Sequence, residues 1–211
     1  MITNEEIIYR LMIIPGILLG FVLHEFAHAL MADKLGDPTP RSQGRITLDP
    51  KAHIDIIGFI LILIVGIGWG KPVMTNPRNY KKPRRDDILV SLAGPCSNLV
   101  LAAIFLLIIK VLSVAGIFSS NSDLEKNIFL TLLYSANINV VLFVLNLLPL
   151  PMLDGYHVIT NIFNAWKYRI FNILEQYGMF IFIILAVSNV LNIILDPPVI
   201  AIFNFMRNLI L

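Results

Sequence analysis

Of the chain's 211 residues, 57% are hydrophobic and 14% charged, and a mean hydropathy of +0.79 is too high for an ordinary soluble domain, so a bilayer is its natural solvent. A formal charge of +2 gives no support to nucleic-acid binding, and the basic residues lie in short blocks between apolar stretches, where they report topology. The single cysteine, Cys96, excludes an internal disulfide and a cysteine-built metal site; it is expected to pack between helices.

Crossing the hydrocarbon takes about 20 helical residues. The first run of that length is Leu11 to Met31. Its start resembles a signal-peptide core followed by a small-x-small site at Ala27-His28-Ala29, but Glu5 and Glu6 against Arg10 make a poor leader, and long apolar segments follow. Between Pro40 and Pro50, Gly44 to Asp49 alternates polar and apolar residues, which predicts a short strand or hairpin. Such an element could offer an edge strand to an unwound peptide, with an ordinary cytoplasmic turn as the alternative.

The run Ile56 to Trp69 is too short to span and is punctuated by Gly58, Gly66 and Gly68, which predicts a re-entrant segment. Basic residues flank it on both sides: Lys34, Arg41, Arg45 and Lys51 before, then Lys71, Arg78, Lys81, Lys82, Arg84 and Arg85 after. Both flanks therefore read as cytoplasmic. A second span follows at Ile88 to Leu112. The connection Ser113 to Asn127 sets Lys126 against Asp123 and Glu125 and reads as the opposite side. A third span is Ile128 to Leu148, and a fourth lies within Ile170 to Leu195. This order places the amino terminus outside. The apolar tail after Pro197-Pro198 carries Arg207 and is expected along the membrane interface. Trp69, Tyr80, Trp166 and Tyr168 fit interfacial anchors.

The predicted fold is an all-α polytopic membrane protein with about four transmembrane helices, the re-entrant segment and a small cytoplasmic-side β-hairpin. It forms one membrane-embedded domain over residues 1–211, with a core at about 11–157 and accessory helices at 158–211.

Near the cytoplasmic end of the first span stands His24-Glu25-Phe26-Ala27-His28. Histidines four apart on a helix share one face, so two imidazoles can bind one zinc ion, and Glu25 can act as general base on a zinc-polarised water. Ionisable groups at membrane depth are costly, which favours function over mere helix packing. A third ligand has to come from elsewhere, because no Glu occurs between Glu25 and Glu125 and no histidine follows His28 at short range. Asp154 is the outstanding candidate, at the end of the third span and on the same predicted side. Pro149 and Pro151 should unwind that span, and unwound backbone at this depth is tolerable only beside a protein cavity. Asn146 could hydrogen-bond a substrate carbonyl or oxyanion, or link helices. His53, His157, Asp49 and Asp55 read as solvated or hydrogen-bonding residues near the membrane face, with tuning of water access or a second metal as the alternative. Asn98, Asn137 and Asn139 read as helix links, with hydration of the site as the alternative.

Three motifs together, His24-Glu25-x-x-His28, Ala93-Gly94-Pro95-x-x-Asn98 and the segment Asn146 to Pro149 to Asp154-Gly155, resemble those of the site-2 protease family of intramembrane zinc metalloproteases, peptidase family M50. The resemblance runs from about Leu11 to His157 and takes in Asn76-Pro77. It implies one Zn2+ per chain held by His24, His28 and Asp154, with Glu25 as base. It also implies cleavage of single-span membrane proteins within or near their helix, usually after an upstream site-1-type protease has shed the outer domain. The expected location is a prokaryotic plasma membrane, and the form is compact, without the PDZ or CBS domains of many relatives. A divalent-metal transporter is the rival reading. Transport needs sites along a route, whereas these ligands cluster at one depth. Retention of Glu25 argues against a catalytically silent relative.

Overall fold

The structure is a computed structural model that describes residues 4–65, 68–120 and 122–211. Helix α1 (Asn4–Met12) leads into α2 (Ile14–Lys34), which has Pro15 in its first turn, where a missing amide costs nothing. Short helices α3 (Thr39–Ser42) and α4 (Pro50–His53) precede α5 (Ile56–Val65). An extended stretch and a 3₁₀ turn (Pro77–Asn79) lead to the long α6 (Pro83–Val114). Helix α7 (Asp123–Asn146) starts at Ser122, whose hydroxyl accepts from Glu125 N. After it come α8 (Asp154–Ile162), a 3₁₀ turn (Ala165–Lys167), α9 (Arg169–Val187) and α10 (Val190–Ile210).

Helices α2, α6 and α7 form the core that carries the site. Lipid tails give apolar side chains little reason to prefer one another, so close packing and interhelical hydrogen bonds hold such helices together. Gly16 and Gly20 let α2 approach α7: a Cβ at Gly16 would lie 2.6 Å from Ser135 Cα, and one at Gly20 2.7 Å from Asn139 Oδ1. Helix α10 closes the bundle. Its first turns place Leu191, Leu195 and Val199 against Ala102, Val140 and Val144. Farther along, Phe203, Met206 and Ile210 pack on the cluster of Leu101, Phe105, Leu106 and Ile109, and Lys110 Nζ donates to the Ile210 carbonyl at 2.5 Å.

Among the described residues five helices, over residues 5–34, 83–114, 123–146, 169–187 and 190–210, are long and apolar enough to cross a membrane. The first two contain the first two expected spans, and the third covers the expected Ile128 to Leu148 except its last two residues, since α7 ends at Asn146. The fourth expected span, Ile170 to Leu195, is divided at Ser188 and Asn189, where Asn189 takes a left-handed backbone (φ 63°). The tail expected along the interface forms the second half of α10, which runs through Pro197 and Pro198, where the packing of Leu195 and Val199 offsets two lost helical bonds. Helix α9 touches the rest differently: Tyr156 Oη donates to the Phe171 carbonyl, Gly178 abuts Pro151, and Phe182 and Leu185 reach the cluster around Val144.

The expected β-hairpin at Gly44 to Asp49 is corrected: no strand occurs among the described residues. Gly44 has φ 67°, Arg45 N donates to the Pro40 carbonyl, and Asp49 caps α4, so this segment's polar groups are consumed by turns. The segment Ile56 to Trp69 is a helix over 56–65 and an extended return from Gly68; Gly66 and Ile67 lie outside the described residues. Gly58 lies directly against the Trp69 carbonyl, so the two limbs touch where a side chain would keep them apart. Cys96 is exposed rather than packed between helices. Tyr80, read as an interfacial anchor, is 4% exposed and packs with Ala32 and Val90.

Candidate active site

The second half of α2, from its midpoint, directs His24 and His28 toward α6, and both side chains are buried. Their Nδ1 atoms meet acceptors from α6: Asn98 Oδ1 is 2.7 Å from His24 and the Val90 carbonyl 2.7 Å from His28. A carbonyl oxygen can only accept, so His28 carries its proton on Nδ1. Asn98 Nδ2 donates to the Gly20 carbonyl at 3.2 Å, which turns the amide so that its oxygen faces His24 and fixes the same tautomer there. Both Nε2 atoms are then bare lone pairs, yet they lie 3.0 Å apart.

Asp154 joins them from the first residue of α8. Helix α7 stops at Asn146, the chain passes Pro149, Pro151 and Met152 (φ 80°), and α8 begins at Asp154. Gly155 is required at the next position, since a Cβ there would run into the carbonyls of Leu147 and Leu148. Asp154 Oδ2 lies 3.2 Å from His24 Nε2, and Oδ1 lies 3.3 Å from His28 Nε2. Although buried, Oδ2 receives no hydrogen bond from the described residues.

Three acceptor groups thus converge without donors between them. Ligand atoms of a tetrahedral zinc ion with arms of about 2.0–2.1 Å sit about 3.3–3.4 Å from one another. The observed separations of 3.0, 3.2 and 3.3 Å match that spacing closely. Gly94 shapes the other wall. A Cβ there would lie 2.7 Å from His24 Nε2 and nearer still to His28 Nε2. The donor set, the orphaned carboxylate oxygen and this side-chain-free wall all fit zinc. His24, His28 and Asp154 form the one such group of metal-ligating side chains among the described residues.

Glu25 points to the extended stretch after α5. Its Oε2 accepts from Val73 N at 2.8 Å, and the buried Arg45 guanidinium lies 3.9 Å away while donating to the Lys71 carbonyl. Burial pushes the Arg45 pKa down despite the Glu25 charge. His53 is fully buried, with Nε2 bonded to the Thr47 carbonyl at 2.7 Å, and its own carbonyl accepts from Lys71 N. It is a structural strut, not a solvated residue. Asp49 accepts from Lys51 N and Asp55 from Gly58 N, each as a local cap. His157 lies beside Trp166 and Tyr156. Asn146 donates to the Leu142 carbonyl at 2.9 Å, within its own helix. Asn139 links helices as expected, whereas Asn98 both links helices and orients His24. Sequence reasoning missed the work of Gly94, Asn98 and Arg45; the spacing Gly94-Pro95-x-x-Asn98 was the visible signal for the first two, and no local pattern marked Arg45.

Residues 12–126 and 110–188 match the sequence model described as Peptidase family M50. The chain belongs to peptidase family M50. Among similar proteins, YwhC of Bacillus subtilis (strain 168), provisionally named a zinc metalloprotease, is 40% identical over 186 residues, covering 86% of this chain and 82% of its own length. Rip2 of Mycolicibacterium smegmatis (strain ATCC 700084 / mc(2)155), provisionally named likewise, is 30% identical over 188 residues, covering 86% and 69%. MJ0611 of Methanocaldococcus jannaschii, with the same provisional naming, is 27% identical over 141 residues, covering 66% and 64%. No solved structure matches at a significant level. As a member of this membrane-embedded family the chain is a zinc metalloprotease, and His24, His28 and Asp154 form a group that could hold a metal ion.

Proposed function

We propose that this chain is an intramembrane endopeptidase that hydrolyses peptide bonds within or near the transmembrane segment of single-span membrane proteins. The observation that carries the reading is the convergence of two α2 imidazoles and the α8 carboxylate beside Glu25, on helices apolar enough to lie in lipid. Bound zinc supplies a Lewis acid that polarises the scissile carbonyl and acidifies water. Glu25 holds its Oε2 on the Val73 amide, which leaves Oε1 to take a proton from the attacking water and deliver it to the departing amide nitrogen. Asn146 is assigned to the substrate carbonyl or oxyanion, exchanging its bond to Leu142 for one to the substrate.

The basic blocks Lys34 to Lys51 and Lys71 to Arg85 border the site, which supports a cytoplasmic-facing active site in a prokaryotic plasma membrane. An upstream site-1-type protease that trims the outer domain is the expected partner. The test compares cleavage of a co-expressed single-span protein by the native chain and by Glu25→Gln, with zinc content measured on both. Gln keeps the acceptor for Val73 N but cannot take a proton, so zinc should stay and cleavage fall about 10²- to 10⁴-fold. Equal cleavage by the variant would overturn the assignment of the base. Zinc uptake into liposomes by the native chain, without cleavage, would favour the transporter.

A further inference from the structure

We infer that Asn98 and Asn139 form a positioning relay that ties the tautomer and aim of His24 to the packing of α2 against α7. The inference rests on the zinc site proposed above and adds to it two residues that do not bind the metal.

Both asparagines are 0% exposed, where every unpaired amide group would be costly. Each bond in the relay has only one polarity. Asn139 Nδ2 donates to the Gly16 carbonyl at 3.0 Å and to the Ser135 carbonyl at 2.8 Å. These partners can only accept, so Asn139 Oδ1 must face the other way, where Asn98 Nδ2 donates to it at 3.1 Å. Asn98 Nδ2 also donates to the Gly20 carbonyl, and its Oδ1 is left for the Nδ1 proton of His24. The chain of donors therefore runs from α2 through α6 to α7 and back to α2.

Glycines make the circuit fit. A Cβ on Gly20 would sit 2.7 Å from Asn139 Oδ1 and 3.4 Å from Asn98 Nδ2, and a Cβ on Gly16 would press on Ser135. The helix spacing that these glycines permit is the spacing at which the two amides meet. Fixing the far nitrogen of a metal-binding imidazole sets which nitrogen carries the lone pair and where it points, and loss of such partners weakens metal binding about 10- to 100-fold.

The experiment measures zinc affinity of the full-length apo protein in detergent by competition with a chromophoric chelator, and records the visible absorption of the Co2+-loaded form. Asn98→Ala should raise the zinc Kd about 10- to 100-fold and alter the cobalt bands. Asn98→Asp, which keeps an acceptor for His24, should retain more affinity than Asn98→Ala. Asn139→Ala touches no ligand, yet should raise the Kd about threefold to tenfold, the equivalent of one hydrogen bond. Val140→Ala, a packing change one residue away, should leave the affinity unchanged. Native affinity and native cobalt bands in Asn98→Ala would overturn the inference. If that variant does not fold, native affinity in Asn139→Ala overturns it instead. Failure of the native chain itself to bind zinc would sink the site reading, and the relay with it.

Discussion

Gly94→Ala separates two opposing physical effects. Helix propensity alone favours the change: alanine in a helix interior is about 0.5–1 kcal/mol better than glycine, and Gly94 lies inside α6. Space opposes it. The new methyl would lie 2.7 Å from His24 Nε2 and Cε1 and closer to His28 Nε2, whereas ordinary contact begins at 3.4 Å. Neither ring can easily retreat, because Asn98 and the Val90 carbonyl hold their far nitrogens at 2.7 Å. Overpacking of this kind costs about 1–3 kcal/mol, which exceeds the gain in propensity. The strain falls on the two lone pairs that face the metal, so zinc affinity should drop more than fold stability. An affinity loss of at least about tenfold, about 1.4 kcal/mol, is the expected result in a chelator competition, with thermal unfolding of the apo protein followed in parallel. Native zinc affinity together with a raised Tm would refute the argument, since it would mean the wall at Gly94 has room.

Two further outcomes follow from named contacts. Asp154→Asn keeps shape but removes the one negative charge in the ligand group, and should weaken zinc by on the order of a hundredfold or more, beyond the loss of an outer-shell partner; metal content after dialysis checks it. Asp37 is fully buried and accepts from Thr39, Asn76 and Asn79. Burial pushes its carboxyl up, but these bonds outweigh it and leave the pKa below the ordinary value. A depressed folded pKa contributes stability that is complete above the unfolded value of about 3.9 and lost as pH falls through the folded one. Asp37→Ala should therefore lower Tm at neutral pH and flatten the stability difference from the native chain in acid, which melts between pH 7 and pH 3 would record.

Much of the site was legible because its chemistry is local. His24 and His28 share a helix face by spacing alone, and Pro149 and Pro151 mark a break before Asp154 whatever the packing. The long apolar runs at α2, α6 and α7 were equally plain. Segment 44–49 misled because alternation over six residues is weak evidence when Gly44, Asp49 and Pro50 favour turns and caps. The α9–α10 boundary was hidden since Ser188 and Asn189 interrupt an otherwise apolar run too briefly to read as a loop.

Sequence by itself determined the solvent, the metal-binding residue types and the family, because composition, helical periodicity and the His24, Asn98 and Asp154 motifs are properties of neighbouring positions along one chain. Only the tertiary structure decided that Gly94 is the wall behind both imidazoles, that Asn98 and Asn139 aim one of them, and that Arg45 and Val73 attend Glu25. Those contacts join residues from 20 to over 100 positions apart, and no local pattern encodes which helix faces will meet once glycines allow α2 to settle against α6 and α7.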